Sequence, residues 1–155
     1  MTASGLVFRR ALAPDLATIV ELLADDPLGR ERETESAGGL DPRYREAFAA
    51  IERDPNQLLA VAEQDGRVVG VLQLSFIPGL TRRGMWRGQI EGVRIAASER
   101  REGIGRAFIE WAIGQSRERG CGLVQLTSDK RRPAAHRFYE ALGFEATHEG
   151  YKLEL

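Results

Sequence analysis

Residues 90–106 combine an apolar strand, a basic turn with two glycines and the start of a helix. Gly103 and Gly105 lack a Cβ atom, so a ligand can approach the backbone closely at this turn. The unpaired N–H groups at a helix start point outward, and the helix dipole favours an anion there. Positive charge surrounds the turn, from Arg100, Arg101 and Arg106. This segment predicts a binding site for a ligand that carries a diphosphate.

The spacing of the arginine and the two glycines in this turn indicates which class of diphosphate ligand would bind. Arg100, Gly103 and Gly105 fit the Q/R-x-x-G-x-G/A signature of the GNAT superfamily of N-acetyltransferases, which bind acetyl-CoA, and the segment resembles the fourth strand and third helix of that fold. A P-loop would need Gly-Lys-Ser/Thr, which the sequence lacks. A dinucleotide fingerprint would need a third small residue and a place near the start of a βαβ unit.

A second motif follows one helix and one strand later. Residues 134–146 read AAHRFYEALGFEA and resemble the A-x-x-x-F/L-Y-x-x-x-G-F signature that closes the acetyl-CoA site of GNAT enzymes. An amphipathic helix with a glycine cap would explain this motif alone. The two motifs occur in the expected order. Together with the helix-loop-helix and the hairpin predicted upstream, they extend the resemblance over nearly the whole chain.

The resemblance implies an acetyl-CoA site and assigns residues to it. Backbone groups of the fourth strand would pair with the pantetheine arm, and amides of the turn would hold the pyrophosphate. The cofactor-binding residues implied in this way are Val93, Arg94, Ile95, Arg100, Arg101, Glu102, Gly103, Ile104, Gly105, Arg106, Ser128 and His136. Lys130, Arg131 and Arg132 would meet the CoA 3′-phosphate or face solvent. His136 has a second interpretation, as a residue that only stabilises its helix.

Tyr139 resembles the general acid of the family. Acetyl transfer expels a CoA thiolate, and a phenol with a pKa near ~10 can protonate a thiolate whose conjugate thiol has a pKa near ~8.5. The alternative is a tyrosine that packs in the core with its hydroxyl hydrogen-bonded.

Glu91 is the first candidate for the base that takes a proton from the amine. It shares a strand face with Val93 and Ile95 unless a bulge intervenes. Gln89, two residues earlier, occupies a position where some family members carry an acid, so the base is Glu91 or a chain of water molecules. A salt-bridged structural carboxylate is the other interpretation of Glu91.

In the family the loop between the first two helices, here residues 25–42, usually lines the acceptor site, which nominates three charged residues of the loop and a tyrosine just after it. They are Asp26, Arg30, Glu33 and Tyr44. Their mixed charge favours a small polar amine, and Arg82, Arg83 and Arg87 would bind an anionic part of it. A solvated loop is the alternative for each of these residues.

The chain of 155 residues has a formal net charge of −1 and a single cysteine, Cys121. We expect one domain over 1–155. The charge argues against a nucleic-acid binder, the lone cysteine excludes an internal disulfide, and two distant histidines make a metal site unexpected. No apolar run is long enough to span a bilayer, so we expect a cytoplasmic protein.

The elements predicted from periodicity and turn signals agree with this family. Strands are expected over 6–12, 58–63, 67–77, 88–95 and 123–127, with two brief strands around Phe144 and over 151–155. Helices are expected from Pro14 and over 42–53, 103–119 and 133–142. The resemblance implies an α/β fold in which a mostly antiparallel sheet, with a parallel pair of the fourth and fifth strands, is flanked by four helices.

Three functions remain open at this point. The first is acetyl transfer to a primary amine of a small polar molecule through a ternary complex. The second is acetylation of a protein or peptide amine. The third is a catalytically silent acetyl-CoA-binding module. GNAT proteins often form dimers through their terminal strands, so a homodimer is a further expectation.

Overall fold

The computed structural model describes residues 5–33, 39–100 and 102–155. Its strands are β1 (Leu6–Arg10), β2 (Gln57–Gln64), β3 (Arg67–Ile77), β4 (Arg87–Ile95) and β5 (Leu123–Leu126). Its helices are α1 (Leu16–Ala24), α2 (Gly29–Arg32), α3 (Pro42–Arg53), α4 (Thr81–Gly84), α5 (Ile104–Glu118) and α6 (Pro133–Ala141). Four of these helices, α1, α3, α5 and α6, have nine residues or more.

Local sequence signals explain where several elements begin and end. Asp41 caps α3 by accepting a hydrogen bond from the Arg43 N–H, and Pro42 occupies the first helical position. The hairpin between β2 and β3 turns at Asp65 and Gly66, whose φ angles are 51° and 81°. Two residues with positive φ form the type of turn that matches the twist of a hairpin.

The five strands form one sheet in the order β1-β2-β3-β4-β5. Every neighbouring pair is antiparallel except β4 and β5, which are parallel. The predicted sheet topology is therefore confirmed. The β4–β5 pairing ends at Ile90 and Leu126, while β4 continues to Ile95 beside β3.

A bulge interrupts β4 just beyond this point. Glu91 lies opposite Gln73 and Arg94 lies opposite Val71, so two residues of β4 face the single residue Leu72. Gly92, one of the two, has a φ of 60°, a left-handed conformation that glycine adopts without steric cost. The bulge reverses the alternation of side chains along the second half of β4.

Apolar cores cover both faces of the sheet. One core packs Leu72, Leu74 and Ile90 against Phe108 and Ile109 of α5, and α6 also contacts it. The opposite core packs α1 and α3 against Val61 and Val71. The sheet therefore separates α5 and α6 from α1 and α3.

Two expectations about the elements were wrong. The described part of 25–42 contains the helical turn α2, where we expected only a loop. No strand follows α6, because residues 145–155 are exposed and form no sheet pairing in the described structure. Alternating apolar residues near the C-terminus are typical of a strand, but alternation alone does not provide a neighbouring strand to pair with.

Candidate active site

The second half of β4 has an open edge. Beyond Ile90 its backbone pairs with β3 on one side, and no strand of the described structure pairs with it on the other. Val93 and Ile95 lie in this segment and pack against the core on the α5 face. An extended chain can pair with such an edge through backbone hydrogen bonds.

The start of α5 lies directly after this open edge. Gly103 precedes the helix with a φ of 73°, and no side chain caps the helix. The ideal Cβ position of Gly105 lies 3.6 Å from both Ile95 and Phe138, so this turn packs closely between β4 and α6. Ile104 is buried, and the first turn carries no acidic residue. Uncapped N–H groups and the helix dipole favour an anion at this position.

The charged residues near this turn differ in their partners. Arg100 donates to the backbone oxygens of Ile95 (3.2 Å) and Asp25 (3.4 Å), so it closes the turn against β4. Arg106 forms an exposed pair with Glu110 at 3.0 Å. Glu102 is exposed. Arg101 lies outside the described residues.

Tyr139 lies on α6 between two other aromatic rings. Its ring centroid is 5.1 Å from that of Phe138 and 5.8 Å from that of Phe144, both in edge-to-face geometry. Its hydroxyl makes no hydrogen bond to any described residue, in contrast with the expectation for a tyrosine that only packs. Burial raises the pKa of Tyr139, and the charges of Arg94 and Arg132 oppose this shift. The phenol is therefore protonated at neutral pH and able to donate.

Glu91 lies on the sheet face opposite to Val93. Its carboxylate is exposed and accepts a hydrogen bond from Gln89 Nε2 at 2.9 Å. Gln89 Oε1 in turn accepts from Gln125 Nε2 at 2.9 Å. Glu91 does not share a face with Val93 and Ile95, because the strand has the bulge at Gly92 that would separate them. Glu91 has no ion pair within the described residues, so it is not a salt-bridged structural carboxylate there.

Asp26 forms a buried ionic centre with two arginines. Its side chain is 9 % exposed and pairs with Arg94 Nε at 2.8 Å and Arg132 Nη2 at 3.0 Å. It also accepts hydrogen bonds from the N–H groups of Leu28 and Gly29. Burial alone would raise the pKa of Asp26, but the hydrogen bonds and the two guanidinium groups outweigh it and lower the pKa. The carboxylate therefore joins the segment after α1 to β4 and to the start of α6.

The other acceptor-site candidates, Arg30, Glu33 and Tyr44, lie on or beside α2 and α3. The Tyr44 hydroxyl donates to Glu33, so these two candidates meet between α2 and α3. Arg30 is exposed on α2. The backbone oxygen of Asp26 accepts a hydrogen bond from the Arg30 N–H at 3.0 Å, and both carboxylate oxygens of Asp26 are used within the protein. Its observed side-chain ion-pair partners are two arginines, and binding of a substrate by Asp26 stays a prediction.

The loop between β5 and α6 forms the far side of the site. His136 Nε2 lies 2.9 Å from the Asp129 backbone oxygen, which ties α6 to this loop. Asp129 pairs with Arg131 and with Arg32 of α2, and the Arg131 hydrogen bonds hold the pKa of Asp129 well below its usual range. Ser128 is half-buried beside it. Two ion pairs, Asp26–Arg132 and Arg32–Asp129, thus join the α1–α2 segment to the loop.

Arg82, Arg83 and Arg87 lie at or before the start of β4, away from its open edge. Arg87 begins β4, four residues before Glu91, and Arg82 and Arg83 are exposed on α4. Four strand residues span about 13 Å, so these side chains start at the other end of the strand.

Comparison with known proteins identifies the family. The sequence profile of the Acetyltransferase (GNAT) family matches residues 17–144. The chain belongs to this family. The GNAT protein is therefore an acetyl-transferring enzyme, and the resemblance inferred from its two motifs is confirmed.

Two curated relatives of this GNAT enzyme are N-acetyltransferases. An aminoalkylphosphonate N-acetyltransferase of Salmonella typhimurium is 32% identical over 105 residues, which is 68% of each chain. A glucosamine 6-phosphate N-acetyltransferase of Trypanosoma brucei brucei is 41% identical over 91 residues, 58% of this chain and 59% of the relative. A crystal structure from Bacillus halodurans, described as a transcriptional regulator, is 48% identical with a TM-score of 0.93 and covers 97% of this chain and 99% of its own.

Sequence inspection missed two features of this GNAT site. The partners of Asp26 could not be found, because Arg94 and Arg132 lie 68 and 106 residues away in the chain. The contact of Gln89 with Gln125 depends on the register of the parallel strands. A glycine inside a predicted strand, Gly92, was the available signal for the bulge.

The described residues contain no group of three or more histidine, cysteine, aspartate or glutamate side chains arranged to hold a metal ion. Within them, no helix combines the length and the apolar character needed to cross a membrane.

Proposed function

We propose that this GNAT enzyme transfers the acetyl group of acetyl-CoA to a primary amine of a small polar molecule. The observation that carries the proposal is the open edge of β4, with Tyr139 on the α5–α6 side and Glu91 exposed on the opposite face. An acetyl group held at this edge is accessible from both faces of the sheet. The amine then attacks from the Glu91 side and the thiolate leaves toward Tyr139.

The donor site in this proposal has two parts. The pantetheine arm pairs with the backbone of Val93 and Ile95 as an added strand. The pyrophosphate binds the uncapped N–H groups from Gly103 to Arg106 at the start of α5. The missing side-chain cap and the glycine at φ 73° support this assignment. Glu102 and Arg106 are exposed and lie at its margin.

The reaction is a direct attack within a ternary complex. The neutral amine nitrogen forms a bond to the thioester carbonyl carbon, and the tetrahedral intermediate then breaks its C–S bond. One amine proton passes to Glu91, directly or through water, and the CoA thiolate takes a proton from Tyr139. The raised pKa of Tyr139 supports this role, because it keeps the donor protonated until the thiolate forms.

Gln89 and Gln125 support Glu91 as the base. A carboxylate only accepts hydrogen bonds, so Gln89 must present its amide N–H₂ to Glu91 and its oxygen to Gln125. This arrangement orients one oxygen of Glu91 and leaves the other available.

The acceptor in this proposal carries an anionic group in addition to its amine. The two curated relatives are named for an aminoalkylphosphonate and for glucosamine 6-phosphate, which both combine an amine with a phosphorus oxyanion. Arg94 and Arg132 share one carboxylate, Asp26, so this ionic centre retains positive charge. Arg30 adds an exposed cation on α2.

An acceptor panel with matched pairs tests the proposal. CoA release is measured with an aminoalkylphosphonate and the alkylamine of equal length, with an amino sugar phosphate and the free amino sugar, and with a peptide. We expect the phosphorus-bearing member of each pair to give the higher kcat/KM. Faster turnover of the peptide would favour a protein acetyltransferase. Binding of acetyl-CoA without turnover of any amine would favour a silent module.

The similarity to a structure described as a transcriptional regulator raises a second role, in DNA binding. The formal net charge of −1 gives no basic excess for such a role. We therefore propose that the enzyme acts on small molecules and does not bind nucleic acid. We also propose that residues 1–155 form one N-acetyltransferase domain, which acts in the cytoplasm and not at a membrane. Its mechanism requires no metal.

A further inference from the structure

A row of polar side chains crosses the sheet on the face that carries Glu91. Directly opposed residues of neighbouring strands point to the same face of a sheet. Gln57 of β2 lies opposite Ser75 of β3, which lies opposite Gln89 of β4. Gln125 of β5 continues the row beside Gln89. The row therefore runs from β2 to β5, and Glu91 lies two residues beyond Gln89 on the same face.

Gln73 of β3 is the neighbour of Glu91 on this surface. It lies directly opposite Glu91, and residues paired in this way have Cβ atoms about 4.5–5.5 Å apart. Both side chains are accessible, since Gln73 is half-buried and Glu91 is exposed. On its other side Gln73 lies opposite Leu59, which belongs to the core beneath α1 and α3. Gln73 therefore lies at the border between that core and the polar row.

Gln57 holds the Gln73 side chain in place. Gln57 Oε1 accepts hydrogen bonds from Gln73 Nε2 and from Ser75 Oγ, each at 2.9 Å. Ser75 is only 5% exposed, so this anchor is fixed against the sheet. Gln73 thus uses its N–H₂ group within the protein, and its Oε1 makes no hydrogen bond to any described residue. A side chain that is already held loses little conformational entropy when a ligand binds to it.

The surface around Glu91 offers oxygen acceptors to a ligand. Gln125 donates to Gln89, and Gln89 donates to one oxygen of Glu91. The second Glu91 oxygen and Gln125 Oε1 therefore resemble Gln73 Oε1, because none of them is hydrogen-bonded to a described residue. Such oxygens pair with N–H and O–H donors. A ligand that satisfies this surface carries a further donor beside its amine.

We infer that Gln73 binds a hydroxyl group on the carbon next to the amine-bearing carbon of the acceptor. The inference rests on the proposed reaction, in which Glu91 takes the amine proton. A hydroxyl group on the adjacent carbon lies about one hydrogen-bond length from the amine, so one ligand can reach two side chains that are direct cross-strand neighbours. The acceptor class is therefore a vicinal amino alcohol that also carries the anionic group proposed above.

Kinetics with two acceptors that differ by one hydroxyl group test this contact. An aminopropylphosphonate with a terminal amine is compared with its derivative that bears a hydroxyl group on the central carbon. The ratio of their kcat/KM values, the hydroxyl preference, is measured in the original enzyme and in Gln73→Met. We expect the hydroxyl preference to fall about 3–10-fold in the variant, which is the effect of one hydrogen bond.

The variant is chosen so that it removes only this contact. Met retains the length of the side chain, and Gln57 Oε1 keeps its hydrogen bond from Ser75, so that oxygen is not left unpaired. A hydroxyl group also changes the basicity of the amine, but it does so equally for both proteins. Gln115→Met is the matched control, because Gln115 lies on α5, across the sheet from this surface, and this variant should keep the original hydroxyl preference.

An unchanged hydroxyl preference in Gln73→Met would overturn the inference. Equal losses of kcat/KM for both acceptors would also overturn it, because Gln73 would then act on the amine or on the fold. Calorimetry with CoA in place of acetyl-CoA gives the same comparison from affinities, without turnover. An enzyme that turned over neither acceptor would refute the proposed reaction, whereas a lower affinity ratio in Gln73→Met would still support the hydroxyl contact. Binding of neither acceptor to the CoA complex would contradict both.

Discussion

Glu91 and Val93 are two residues apart on β4 but project to opposite faces of the sheet. A regular strand would place them on the same face. The bulge at Gly92 separates them, so Val93 joins the core beneath α5 while Glu91 is exposed on the other face. In the proposed reaction this separation lets the amine and the leaving thiolate occupy different faces of one acetyl group.

Tyr139→Phe should lower kcat by about 10²–10⁴-fold, the range that general acid catalysis contributes. Acetyl-CoA affinity should change little, because the ring packing with Phe138 and Phe144 is retained. Steady-state kinetics and calorimetric binding separate these effects. Tyr151→Phe, on an exposed ring, serves as the control and should keep full turnover. Unchanged turnover in Tyr139→Phe would remove this residue as the acid.

Glu91→Gln should lower kcat and flatten the rise of activity with pH. The variant keeps the size of the side chain and loses only the group that accepts the proton. A pH profile of kcat/KM for both proteins provides the measurement. Glu118→Gln, at the exposed end of α5, should reproduce the original profile. If the Glu91→Gln profile also remained unchanged, a water chain without Glu91 would carry the proton.

Asp26→Asn should lower the free energy of unfolding by about 3 kcal/mol at neutral pH, because Arg94 and Arg132 lose their buried partner. The pKa of Asp26 is lower in the folded than in the unfolded chain. The ionised carboxylate therefore stabilises the fold above about pH 4, and this contribution is lost as pH falls through the pKa of the folded state.

Urea unfolding of both proteins at several pH values tests this dependence. The difference in free energy of unfolding between the original protein and Asp26→Asn should become smaller toward acid pH. Glu110→Gln, in an exposed pair with Arg106, should cost less than about 0.5 kcal/mol. A difference for Asp26→Asn that stayed constant with pH would contradict the ionic explanation.

Gly92→Ala should destabilise the protein by about 1–2 kcal/mol, because an L-residue with a Cβ is strained at a φ of 60°. Gly114 gives a matched control. It lies inside α5, and nothing is within 4 Å of its ideal Cβ position, so Gly114→Ala should stabilise by about 0.5–1 kcal/mol. Thermal unfolding of both variants measures these changes in stability. Equal effects at the two positions would mean that the bulge is not strained by alanine.

Elements with local signals were predictable from the sequence. The bounds of α3 and β3 match the prediction, because Asp41-Pro42, the Asp65-Gly66 turn and Pro78-Gly79 lie beside their ends. The two site motifs were recognisable for the same reason, since each is contained in a single strand–helix or helix–strand segment.

Features that depend on distant partners were not predictable. The Asp26 ionic centre joins residues 68 and 106 positions apart. The alternation of Tyr151, Leu153 and Leu155 predicted a terminal strand, but these residues form no strand in the described structure, because alternation alone does not supply a neighbouring strand. Periodicity reports which side chains share a face and not what covers that face.

Transfer of a labelled acetyl group measures whether acetyl passes directly from acetyl-CoA to a small amine. The enzyme is incubated with acetyl-CoA labelled in the acetyl group, with and without an aminoalkylphosphonate, and label is followed in the protein and in the amine. We predict that label moves to the amine only when both substrates are present, and that none remains on the protein. Label retained on the protein, or no labelled amine despite acetyl-CoA binding, would contradict direct transfer to a small amine.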